Sequence, residues 1–97
     1  MAPQDALLLE FRGEVRAHQE DPDGALADWR LALELNPRNL GPLYGSAFLL
    51  ERRGRIPNAI AAWREIVELS QARGHTLDIE WPLREIERLE QSQSTSP

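Results

Sequence analysis

Twelve residues, Gly24 to Leu35, recur 34 positions later as Asn58 to Leu69, and Ala25/Ala59, Ala27/Ala61, Trp29/Trp63, Arg30/Arg64, Glu34/Glu68 and Leu35/Leu69 are identical. This self-match constrains the fold more than any other feature. One helical hairpin cannot bury its apolar face alone, so a period of this length predicts helix–turn–helix units stacked against neighbours of the same shape. Such stacks usually present a surface to a partner and seldom carry out chemistry.

Start and stop signals divide the chain into helices. Asp5 is placed to cap a first helix running to about Gln19, with Leu8, Leu9, Phe11 and Val15 supplying much of its apolar surface. A break follows at Glu20 and Asp21. Asp21 and Pro22 open a second helix, in which Ala25, Leu26, Trp29, Ala32, Leu33 and Leu35 recur at helical spacing until Asn36 and Pro37 end it. Asn39 caps a third, through Leu43, Ala47 and Leu50 to a Gly54 stop, and Pro57 starts a fourth, ending near Arg73 and Gly74. No alternating strand pattern is found. The expected fold is all-α: antiparallel hairpins stacked as an α-solenoid of about five helices.

The last quarter departs from the repeat. From Pro82 to about Gln91, Leu83, Ile86 and Leu89 form one stripe, with Arg84, Glu85, Glu87, Arg88 and Glu90 opposite. This reads as a capping helix covering the apolar flank of the end repeat. Trp81, just before it, reads as the anchor of the cap, with a partner contact as the alternative. The Ser-, Gln- and Thr-rich stretch to Pro97 reads as a disordered tail over 92–97, leaving one domain over 1–91.

These residues resemble the tetratricopeptide repeat family. Its hairpin has a small residue midway along the first helix, then an alanine, an aromatic and a small residue on the second, and a proline after it. The first unit, about 6–39, offers Gly13, Ala25, Trp29, Ala32 and Pro37 in that order and spacing. The second, about 40–73, offers Ala47, Ala59 and Trp63, but has Ile66 at the later small position and Gln71 where the proline falls. Arg12 and Arg16 replace apolar residues common in the family's first helix, so the outer end of the first unit is expected to fray or to be covered by another subunit. Small side chains let helices approach to about 8–10 Å, and the aromatic fills the space beside them. Equal placement of Trp29 and Trp63 in both units argues for core packing rather than a ligand box.

The resemblance implies that the first helix of each hairpin lines a concave groove. Its groove positions fall on Leu7, Glu10, Glu14, Ala17 and His18, and on Gly41, Tyr44, Phe48, Glu51 and Arg52, each set also sharing a helical face by spacing alone. A trough with one acidic and one aromatic wall suits a peptide or helical segment carrying a basic residue beside an apolar anchor, with Tyr44 and Phe48 as contacts. The other reading packs Tyr44 and Phe48 under the first unit or beneath the terminal helix. The family's carboxylate-clamp subgroup uses lysine and asparagine where this chain has Glu10, Glu14 and Gly45. Two carboxylates would repel an acidic peptide end by roughly 1–4 kcal/mol per close pair, so an acidic chaperone C-terminus is not the expected ligand.

Composition narrows the classes further. A net charge of -5 argues against nucleic acid, and the Arg52, Arg53 and Arg55 cluster flanks a turn where cations favour helix carbonyls. No apolar run approaches the roughly 20 residues needed to span a bilayer, and the start of the chain lacks the basic flank of a secretion signal. The absence of cysteine fits a reducing compartment, so the expected location is the cytoplasm. Glu14 and His18 could share a face, but two ligands are too few for zinc and His75 sits in a distant turn. No enzyme activity, metal or cofactor is expected. Two functions remain: an adaptor binding another protein in the groove, and a self-associating unit whose homo-oligomer completes a stack shorter than the three repeats normally needed.

Overall fold

The computed structural model describes residues 3–74 and 79–94, which form five α-helices. These are α1 (Pro3–His18), α2 (Pro22–Leu35), α3 (Gly41–Arg52), α4 (Ile56–Ala72) and α5 (Glu80–Ser94). No strand occurs among the described residues.

The ends of the helices follow from local chemistry. Asp21 caps α2 by accepting from the Gly24 N–H at 3.1 Å, and Pro22 fills a first-turn position where a missing N–H costs nothing. Leu40, not Asn39, stands at the cap position of α3 and makes no side-chain cap bond; Asn39 Oδ1 still accepts from the Gly41 N–H at 3.0 Å, from one residue further out. Gly54 (φ 75°) and Gly74 (φ 77°) adopt the left-handed conformation that stops α3 and α4. Glu20 (φ 61°) does the same between α1 and α2, at a steric cost that glycine avoids.

Three boundaries differ from the sequence reading. The first helix begins at Pro3, so Asp5 lies in its first turn, where a carboxylate favours the helix dipole, instead of capping it. The last runs from Glu80 to Ser94, not from Pro82 to Gln91. Pro82 falls within the first turn, where N–H groups have no helical partner, and Trp81 is inside the helix. Ser92 to Ser94, read as tail, are helical: no glycine or proline stops the chain there, and Gln91 Nε2 donates to Glu87 Oε1 one turn back at 3.3 Å. His75 and residues 95–97 lie outside the described residues.

α1 packs on α2 and α3 on α4, making two hairpins; α2 meets α3 between them, and α5 covers α4. The main core joins Leu43, Ala47 and Leu50 of α3, Ala59, Ile60, Trp63 and Ile66 of α4, and Ile86 and Leu89 of α5. Burying Ile86 and Leu89 contributes about 1.5–3 kcal/mol each, which holds the terminal helix in place. A smaller cluster of Ala25, Trp29 and Leu49 joins α2 to α3. Gly13, Ala25, Ala32, Ala47 and Ala59 are all buried, as are both repeated tryptophans.

The surroundings of the two indoles differ. Trp29 wedges between two glycines: a Cβ on Gly13 would stand 2.5 Å from its Nε1, and one on Gly45 3.1 Å from its ring. Its Nε1–H donates to the Glu10 carbonyl at 3.2 Å. Trp63 is instead ringed by Tyr44, Phe48 and Trp81, and its buried Nε1–H has no hydrogen-bond acceptor among the described residues.

α1 also departs from expectation. Its inner face carries Ala6, Gly13 and Ala17, with no room for a side chain at Gly13 beside Trp29, and Leu8, Phe11 and Val15 are exposed. Arg12 and Arg16 do not wait for another subunit. Arg12 Nε and Nη2 donate to the two oxygens of Asp28 at 2.9 and 2.8 Å, and Arg16 Nη1 lies 3.4 Å from Asp28 Oδ2. The hydrogen bond from Arg12 holds the Asp28 carboxyl below its ordinary range against the opposing effect of burial, and the charges of both arginines add to it.

Candidate functional site

A cleft of about 280 Å³ opens between α1 and α3. Glu14, Ala17 and His18 form one wall, Gly45, Phe48, Leu49 and Arg52 the other, and Trp29 of α2 lies between them. The first helices of the two hairpins are therefore its walls. Trp29 can reach this position because Gly13 and Gly45 leave space on either side of its ring. At one end a polar recess formed by Ala17, His18, Glu20, Arg52 and Arg53 continues the surface.

Of the ten predicted groove residues, Glu14, Ala17, His18, Phe48 and Arg52 line this cleft, and Leu7, Glu10, Gly41, Tyr44 and Glu51 do not. Glu10 Oε1 accepts from Asn39 Nδ2 at 2.8 Å and its backbone holds the Trp29 indole. Tyr44 stacks on Trp81, with ring centroids 5.5 Å apart and planes 15° from parallel, and meets the edge of Trp63 at 5.6 Å. Both Glu51 oxygens accept from Arg88 Nη2, at 2.8 and 2.9 Å, tying α3 to α5.

Phe48 belongs to both environments. It packs edge-on to Trp63 at 5.4 Å and tilts against Trp81 at 5.8 Å, yet remains 42% exposed. Tyr44 is thus packed against Trp81 of the terminal helix, whereas Phe48 keeps an open face. Trp81 anchors α5 through this cluster while staying 48% exposed, beside the exposed Leu83.

Electrostatically the cleft is mixed. Glu14 supplies negative charge on the α1 wall and Arg52 positive charge at the far end of the α3 wall. Arg53 adds to Arg52 in the adjoining recess, and the third arginine of the cluster, Arg55, is drawn away to Asp23 at 3.3 Å. Comparison with protein-family models, curated proteins and solved structures finds no match to this chain. Among the described residues, no helix is long and apolar enough to cross a membrane.

The Asp28 anchorage was missed in the sequence, although a signal for it exists. In the second unit the positions matching Arg16 and Asp28 hold Leu50 and Ala62, both buried. An opposite-charge pair replacing an apolar pair at two matched positions marks a contact between the helices that carry them.

Proposed function

We propose that the protein is a tetratricopeptide-like stack of two hairpins and a cap, acting as an interaction module rather than an enzyme. Its ligand is a peptide or helical segment of another protein, bound between α1 and α3. The single observation that carries this reading is the joining of Glu14, His18, Phe48 and Arg52 in one cleft against Trp29. Phe48 offers an aromatic face to an apolar anchor, and Glu14 attracts a basic residue beside it. The recess lined by Arg52 and Arg53 suits an acidic group further along the same segment. A reducing, cytoplasmic setting belongs to the same proposal, since the chain has no cysteine that an oxidising one would use.

Panning a random peptide display library against the full chain tests the reading. The expected consensus pairs lysine or arginine with a large apolar residue. Affinity for the selected peptide should fall roughly tenfold or more for Phe48→Ala, the order of an interface anchor, with helicity unchanged. A selected peptide that binds the Phe48→Ala and Glu14→Lys variants as well as the parent would refute the assignment of the cleft.

A further inference from the structure

α1 contributes less to the core than any other part of the hairpins. Among its described residues only Ala6 and Gly13 are buried, so it fully buries no side chain larger than a methyl group. Leu7, Leu8, Phe11 and Val15 are more than half exposed and do little to hold it. By contrast α4 buries Ile60, Trp63, Ile66 and Val67, and α5 buries Ile86 and Leu89.

What fastens α1 is mostly polar. Arg12 and Arg16 converge on the buried Asp28 of α2, the Glu10 carbonyl accepts from the Trp29 indole, and the Glu10 carboxylate accepts from Asn39 beyond the end of α2. These groups regain hydrogen bonds to water when the helix leaves, so each adds only a small net amount to docking. The large apolar group in the contact belongs to α2: it is Trp29, whose ring lies against Gly13. The remaining helices keep their own ties without α1. Trp29 also packs on Gly45 and Leu49 of α3, Leu33 belongs to the main core, and Arg30 donates twice to Glu65 of α4, at 2.9 and 3.1 Å. The turn after α1, where Glu20 is held left-handed, is placed as the pivot.

We propose that α1 is a hinged wall, which swings away from α2 as a unit while α2 to α5 stay folded, so that the cleft exists only in the closed form. Proteins open in such cooperative pieces where buried apolar contacts are few. Opening takes Glu14, Ala17 and His18 away from Gly45, Phe48 and Arg52, and uncovers one face of the Trp29 ring. On the reading that the cleft holds a peptide, on which this regulatory role rests, a bound segment touches both walls and favours closure. The closed fraction then sets the apparent affinity.

Native-state hydrogen exchange of the full chain, read by NMR, is the test. In the parent without ligand, the amides of Phe11, Glu14 and Val15 should share one protection factor, roughly a hundredfold or more below those of Trp63 and Ile66. Ile86→Val loosens the packing of α5 on α4, a contact that stays intact when α1 opens. It should lower protection at Trp63 and Ile66 about threefold or more and leave α1 unchanged. Asp28→Asn should lower protection in α1 roughly tenfold. A display-selected peptide at a free concentration of about 100 Kd should raise it about a hundredfold. The hinge is overturned if Ile86→Val lowers protection in α1 and α4 alike, if protection along α1 grades residue by residue as in fraying, or if Asp28→Asn leaves α1 as it was. Those measurements need no ligand, so they succeed or fail apart from the peptide reading. A peptide that saturates the cleft without raising protection in α1 overturns the regulatory role.

Discussion

The two repeated tryptophans are equivalent in sequence, yet removing their N–H groups should have different consequences. Trp63 is 0% exposed and its Nε1–H finds no acceptor among the described residues, whereas the Trp29 Nε1–H donates to the Glu10 carbonyl. Replacing either by phenylalanine removes about three heavy atoms, a loss of about 2–2.5 kcal/mol at ~0.8 kcal/mol per buried methylene. For Trp63 this is offset by relief of an unsatisfied donor, about 1–3 kcal/mol. The low end applies, because the surrounding rings can receive the N–H weakly on their faces. For Trp29 a hydrogen bond of about 0.5–1.5 kcal/mol is lost in addition. Trp63→Phe should therefore cost about 1 kcal/mol, and Trp29→Phe about 3 kcal/mol. Urea unfolding followed by circular dichroism separates them: at about 1–1.5 kcal/mol per molar urea, the midpoints should differ by more than about 1 M. If Trp63→Phe proves as costly as Trp29→Phe, the reasoning from the orphaned N–H is wrong.

Other perturbations probe the packing and the charge pair. Trp63→Ala should cost about 3–5 kcal/mol and unfold much of the chain, and a cooperative melt near the parent's would contradict its place in the core. Gly45→Leu would push into the Trp29 ring and should lower stability by about 1–3 kcal/mol or more in chemical denaturation. Glu20→Gly removes a left-handed non-glycine residue and should raise stability by up to about 1 kcal/mol. Asp28 has a folded pKa below its unfolded one, so its stabilisation is present above the unfolded value and is lost as pH falls through the folded value. The Asp28→Asn variant should thus be less stable at neutral pH and lose less on acidification, as read from melting temperatures across the acid range.

What the sequence made legible was whatever repeats or follows a local rule. The 34-residue self-match and the proline and glycine punctuation place all five helices, because caps and stops act within a few residues. Burial of Trp29 and Trp63 follows from their shared register. Long-range choices were harder to see. Tyr44 was read as a groove contact, but α5 begins two residues earlier than expected and carries Trp81 over its ring. Glu51 was read the same way, but Arg88 reaches it from a helix outside the repeat. Leu8, Phe11 and Val15 look like any amphipathic stripe. Only the space taken by Trp29 shows that the small residues face inward and the large ones outward.

Backbone amide and indole chemical-shift mapping of the full chain, titrated with a peptide selected from the display library, tests the binding cleft most directly. Shifts should concentrate at Glu14, His18, Gly45, Phe48 and Arg52, together with the Trp29 indole, and leave Arg64 and Glu68 on the exposed side of α4 unmoved. Saturable binding whose shifts cluster on α4, or on the outward face of α1, would contradict a function built on the space between the two hairpins.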